Sequence, residues 1–154
     1  MNNYEKLLTK AEKEGVSVVE VDFRNNLPCA KCHGNKIYIN GNVSTKEKYC
    51  VLAEELGHYK LTVGNITNLQ DVRNVKQELL ARKWGYNQNV GILGLIRSFE
   101  NGCKTSKEIA DFLGVTESYL EDAIDYYRCK YGVSCKIDNY EVRFIPNLMI
   151  GKFF

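Results

Sequence analysis

The sequence predicts an α+β fold, and three observations carry that prediction. Two short stretches near the start, "VSVVEVDF" and "KIYIN", alternate apolar and polar residues as strands do. Helix-period stretches fill most of the remainder, two of them opened by Ser or Thr with Glu three residues later. The tail "VSCKIDNYEVRFIP" alternates on both sides of Asp138-Asn139, as a small hairpin would. Strands and helices thus fall in separate runs rather than in strict alternation.

Taken in order, residues 2 to 14 read as a short amphipathic helix with Tyr4, Leu7, Leu8 and Ala11 on one side, ended by Gly15. The first strand follows, with Val19, Val21 and Phe23 expected on one face. "NNLPCAKCHGN" is turn-rich, and "KIYIN" is the second strand, with Ile37 and Ile39 pointing one way. The Asn40-Gly41-Asn42 turn leads to Ser44-x-x-Glu47, a capping box opening a helix to about Leu61 that stops near Gly64. Further helices fit residues 71 to 86 and 91 to 100, the latter with Ile92, Leu95, Ile96 and Phe99 apolar and Gly102 as its stop. Thr105-x-x-Glu108 opens another helix ending at Gly114, and Thr116 caps the last, which runs to about Tyr131. Residues 1–88 are expected to form a core and residues 89–154 a helical segment with a terminal hairpin, packed on it.

Composition narrows the function classes. The 154 residues suit one compact domain or a core with an appendage, and 44% hydrophobic content can supply a core. A formal charge of +2 and a pI near 8.1 are too mild for nucleic-acid binding by bulk electrostatics. No apolar run approaches the roughly 20 residues of a membrane span. "MNNYEKLLTKAEKEG" has no signal-peptide apolar core. A cytoplasmic protein with reduced thiols is expected.

The chemistry concentrates in "CVLAEELGHYKLTV". At about 100° per residue, Glu54 and His58 lie one helical turn apart and can reach one ion. Glu55 points to the neighbouring strip, where it could hold an ion's water without ligating the ion. A third ligand is offered by Glu78 in "KQELLARKWGY", whose stripe holds Ala81 and Gly85. Small residues there let two helices approach closely enough for a carboxylate–metal bond of about 2.0–2.2 Å. Asp71 shares the stripe two turns away and ranks behind Glu78. Paired Glu residues with one His also occur on ordinary solvated helix faces, so these residues alone leave both readings open.

"YINGNVSTKEKYCVLAEELGHYKLTVGNI" followed by "KQELLARKWGY" resembles the ImmA/IrrE family of metallopeptidases, most strongly from Lys36 to Tyr86. That family has a zincin-like core in which a strand precedes a His-Glu-x-x-His helix. A later Glu-x-x-Ala-x-x-aromatic segment, here Glu78, Ala81 and Trp84, supplies the third ligand. The resemblance implies His58 and Glu78 as metal ligands and Glu55 as the catalytic base. Glu54 stands at the first-ligand position, where most of the family has His; the family includes a branch reading "AEELGHY". Zinc is the implied metal, and the extra carboxylate relaxes selectivity toward manganese or iron. It also makes the ion a weaker Lewis acid, so a weak or conditional peptidase is expected. Tyr59 is a candidate for oxyanion stabilisation. Family members are often encoded by phages and integrative elements beside a repressor gene. The implied partner is therefore a helix-turn-helix repressor, cleaved by the enzyme or, alternatively, sequestered by a protein whose site is degenerate.

"CAKCH" at Cys29–His33 formally matches c-type haem attachment, but that chemistry belongs to exported proteins and no haem is expected. A structural zinc site would need a second cysteine pair, and Cys50, Cys103, Cys129 and Cys135 offer none at close spacing. His33 is a further candidate fourth ligand. "TSKEIADFLGVTESYLEDAIDYY" has helix-turn-helix spacing, with Leu113-Gly114-Val115 at the turn and Ala110, Leu120 and Ile124 inward. Its second helix carries Glu117, Glu121, Asp122 and Asp125, which phosphate would repel, so direct DNA binding is not expected. Glu117, Glu121 and Asp122 are instead candidates for docking the basic surface of a repressor.

Overall fold

The computed structural model describes residues 1–61 and 72–154, the first three of the latter by backbone alone. The expected helix stop at Gly64 and the candidate Asp71 lie outside the described residues. The chain forms two compact units, Met1–Gln88 and Asn89–Phe154.

The first unit runs α1 (Asn3–Lys13), β1 (Ser17–Val21), β2 (Ala30–His33), β3 (Lys36–Asn40), α2 (Thr45–Leu61) and α3 (Val72–Asn89), whose last residue opens the second unit. Asn2 caps α1 by accepting from the Glu5 N–H, and Gly15 turns the chain at φ 83°. The strands order as β1-β3-β2, with β1 parallel and β2 antiparallel to β3. Tyr4, Leu7 and Ala11 of α1, Ile37 and Ile39 of β3, and Leu52, Ala53 and Leu56 of α2 are buried together with Val16. The Ser44 hydroxyl accepts from the Glu47 N–H at 3.2 Å, so the capping residue expected for the motif helix is in place.

Two expectations need correction. The face of β1 turned to the core carries Val18, not Val19, which is 39% exposed. In-register partners share a face of the sheet, and Val18 pairs with the fully buried Ile37. The run of consecutive valines fits either phase, so pairing with β3 decides it. The turn-rich stretch also contains a strand, β2. It exists through its ladder to β3, and the preceding loop is pinned by Asn40. That buried side-chain amide donates to the Asn25 carbonyl and side chain and to the Leu27 carbonyl at 2.9–3.0 Å.

The second unit contains α4 (Gly91–Glu100), α5 (Ser106–Leu113), α6 (Glu117–Tyr131) and strands β4 (Ser134–Ile137), β5 (Tyr140–Arg143) and β6 (Met149–Lys152). Thr105 and Thr116 cap α5 and α6 as the sequence predicts, and Gly114 makes the turn between them at φ 78°. Ala110, Leu113, Val115, Leu120 and Ile124 all point into this unit's core. The hairpin β4–β5 gains a third strand, β6, that the sequence did not announce. No helix among the described residues is long and apolar enough to cross a membrane.

Candidate metal centre

The site is built where α2 meets α3. A Cβ placed on Gly57 would lie 2.5 Å from the Ala81 carbonyl oxygen and 3.0 Å from its Cα. Two helices come this close only where one of them lacks a side chain, and Ala81 is fully buried on the other. The small residues of the α3 stripe therefore do bring it against the motif helix, and that approach sets the site's width.

Across the contact, ligand atoms of Glu54, His58 and Glu78 all lie within 4.8 Å of one another. His58 Nε2 is 3.3 Å from Glu78 Oε1. This exceeds the roughly 2.7–2.9 Å of a charge-assisted hydrogen bond. It does match the separation of two ligands on one tetrahedral ion, roughly 3.3–3.4 Å for bonds near 2.0–2.1 Å. An imidazole and two carboxylates suit zinc, and they also suit manganese or iron. By spacing and donor chemistry, these residues fit a divalent metal.

Glu55, one position along α2 from Glu54, is turned toward β2. Burial pushes its carboxyl above the ordinary carboxylate range; His58 pulls it back, while the negative charges of Glu54 and Glu78 push it further up. A hydrogen bond from the main-chain N–H of Cys32 also favours its charged form. The Cys32 thiol in turn has a raised pKa through burial, with Glu55 adding to the effect. The strand register explains this contact. Asn40 N–H bonds the Cys29 carbonyl across the β2–β3 ladder. The alternate residues Ala30 and Cys32, paired with Ile39 and Ile37, therefore aim their main-chain groups away from β3. Among the described residues no further strand lies on that edge.

The remaining candidates fall elsewhere. His33 is exposed and, by strand alternation, on the opposite face of β2 from Cys32, so it is not brought to the trio. Cys29 and Cys32 are both free thiols, as are Cys50, Cys103, Cys129 and Cys135. Tyr59 is half-buried. Glu117, Glu121 and Asp122 are exposed on α6. Two contributors were not anticipated. One is the Cys32 main chain, hidden because β2 was not recognised as a strand. The other is Arg82, whose Nε lies 3.6 Å from Glu54 Oε1; its position one turn after Glu78 was the available signal.

The family model described as the IrrE N-terminal-like domain, a peptidase family, matches residues 11–87, half of the chain. The protein belongs to this family. The matched span takes in the sheet of the IrrE-like domain and all of Glu54, Glu55, His58 and Glu78. Membership gives the IrrE-like domain a metallopeptidase-type function and a zincin-like α+β fold, with the helices and small sheet of the second unit following it. No curated protein and no solved structure matches the chain.

Proposed function

We propose that the protein is a metal-dependent endopeptidase of a phage or other mobile element, and that it inactivates a helix-turn-helix repressor in the cytoplasm by cleaving it. One observation carries the enzymatic part. Three side chains with metal-ligating atoms converge within 4.8 Å, beside a carboxylate that is anchored to a strand edge. His58, Glu78 and Glu54 would hold the ion, with zinc the leading candidate. A bound divalent ion supplies Lewis acidity, polarising the scissile carbonyl and making a water more acidic.

The chain's own groups do the rest. Glu55 accepts a proton from the attacking water and passes it to the leaving nitrogen. Burial raises its proton affinity above that of an exposed carboxylate, which favours its service as base and then acid. The Cys32 N–H holds the carboxylate in place between them. The outward main-chain groups of Ala30 and the Cys32 carbonyl offer an extended peptide a partner beside Glu55. The exposed acids Glu117, Glu121 and Asp122 suit the basic surface of a DNA-binding protein.

A second function is favoured by Glu54 itself. Where this carboxylate weakens the site enough, the protein relieves repression by sequestering its partner without cleavage. Co-expression with the repressor encoded beside it separates the two. Cleavage that Glu55→Gln reduces by about 10²–10⁴-fold, with zinc still bound, supports the peptidase. Relief of repression with the partner intact rejects it in favour of sequestration.

A further inference from the structure

We propose that Arg82 is a positioning residue. It holds the Glu54 carboxylate toward the metal position and supplies the positive charge that a carboxylate ligand in place of an imidazole makes necessary. This rests on the metallopeptidase function proposed above.

The geometry is a pair of facing rungs. His58 of α2 stands opposite Glu78 of α3 at 3.3 Å, and Glu54 stands opposite Arg82 at 3.6 Å. One turn back along α2 is matched by one turn forward along α3, as antiparallel helices require. The Gly57–Ala81 contact fixes the helix separation that both rungs span. Arg82 therefore belongs to the same face of α3 as Glu78, and the helix contact keeps its backbone on this side of the site.

Two carboxylates so close repel each other, and an imidazole that ligates an ion carries no charge of its own to offset that. A guanidinium stays charged at every accessible pH, so it cancels one of the two negative charges permanently. The site is then left with the same net charge as two neutral imidazoles and one carboxylate. A carboxylate has two oxygens, so one can face Arg82 while the other faces an ion. Partners of this kind orient metal ligands and change metal affinity without touching the metal. A contribution to folding does not explain the pair, because both side chains are substantially solvent-exposed and such pairs add little.

Zinc titration by calorimetry on the full chain tests the proposal, with Arg82→Met, Arg82→Gln and Arg82→Lys made in the natural sequence and in a Glu54→His background. In the natural sequence Arg82→Met and Arg82→Gln should weaken zinc binding about tenfold, and Arg82→Lys should recover part of that loss. In the Glu54→His background the same changes should cost less than about twofold, because a neutral imidazole needs no cation beside it. Equal losses in both backgrounds, or no loss in the natural one, overturn the role of Arg82 and leave the metal site standing. Absence of zinc binding by the natural protein overturns the metal site and the Arg82 role together.

Discussion

Replacing Gly57 by Ala should damage the metal centre far more than the fold. The new Cβ would sit 2.5 Å from the Ala81 carbonyl oxygen, where an ordinary carbon–oxygen contact is about 3.3 Å. Relieving it moves α2 and α3 apart by about 0.8 Å, against a tolerance of about 0.2 Å in metal–ligand distances. His58 is the residue after Gly57 and Glu78 lies three before Ala81, so the displacement falls directly on the 3.3 Å pair. Zinc affinity should drop on the order of ten- to a hundredfold. The stability cost is smaller because two effects oppose each other. Overpacking costs about 1–3 kcal/mol, while alanine returns up to about 1 kcal/mol of helix propensity. A net loss of about 1 kcal/mol is expected in urea denaturation. Ala81→Gly should not rescue the variant, since the new methyl group meets main-chain atoms of Ala81. Unchanged zinc affinity in Gly57→Ala, or rescue by Ala81→Gly, would refute the close approach as the determinant of the site.

Two further expectations follow from β2 and its loop. Cys32→Pro removes the N–H bonded to Glu55 but spares the β3 ladder, to which that N–H does not contribute. The bond favours charged Glu55, so its loss raises the carboxyl pKa further; Cys32→Ala, which keeps the N–H, should not do so. Carboxyl NMR titration of metal-free protein checks this, and equal shifts in the two variants would reject it. Asn40→Asp turns a buried donor to three oxygens into an acceptor facing them. It should destabilise the first unit by about 3 kcal/mol or more in denaturant titration, and a loss below about 1 kcal/mol would show that the loop relaxes easily.

The parts of the fold legible in the sequence were those fixed by local chemistry. Thr105, Thr116 and Ser44 start helices because a hydroxyl beside free N–H groups works whatever lies beyond. Ile37 and Ile39 read as inward because strand alternation leaves them no other face. The turn of helix joining Glu54 to His58 is likewise local, so the half of the candidate site on α2 could be read directly. Glu78 could be nominated from its stripe of small residues, since Ala81 and Gly85 announce a close helix contact.

What the sequence could not decide depends on pairing across the chain. Val18 rather than Val19 faces the core because β3 lies beside β1 in one register, and consecutive valines satisfy either phase. β2 and β6 are strands only through their ladders, and nothing in "AKCH" or "MIGK" demands extension. The Cys32 N–H reaches Glu55 through that same ladder, as a main-chain group that no residue type advertises. Arg82 faces Glu54 because two helices meet at Gly57 and Ala81. The sequence by itself determined which side chains could bind a metal. Tertiary structure decided which charges stand beside them, because electrostatic neighbours are set by distance in space.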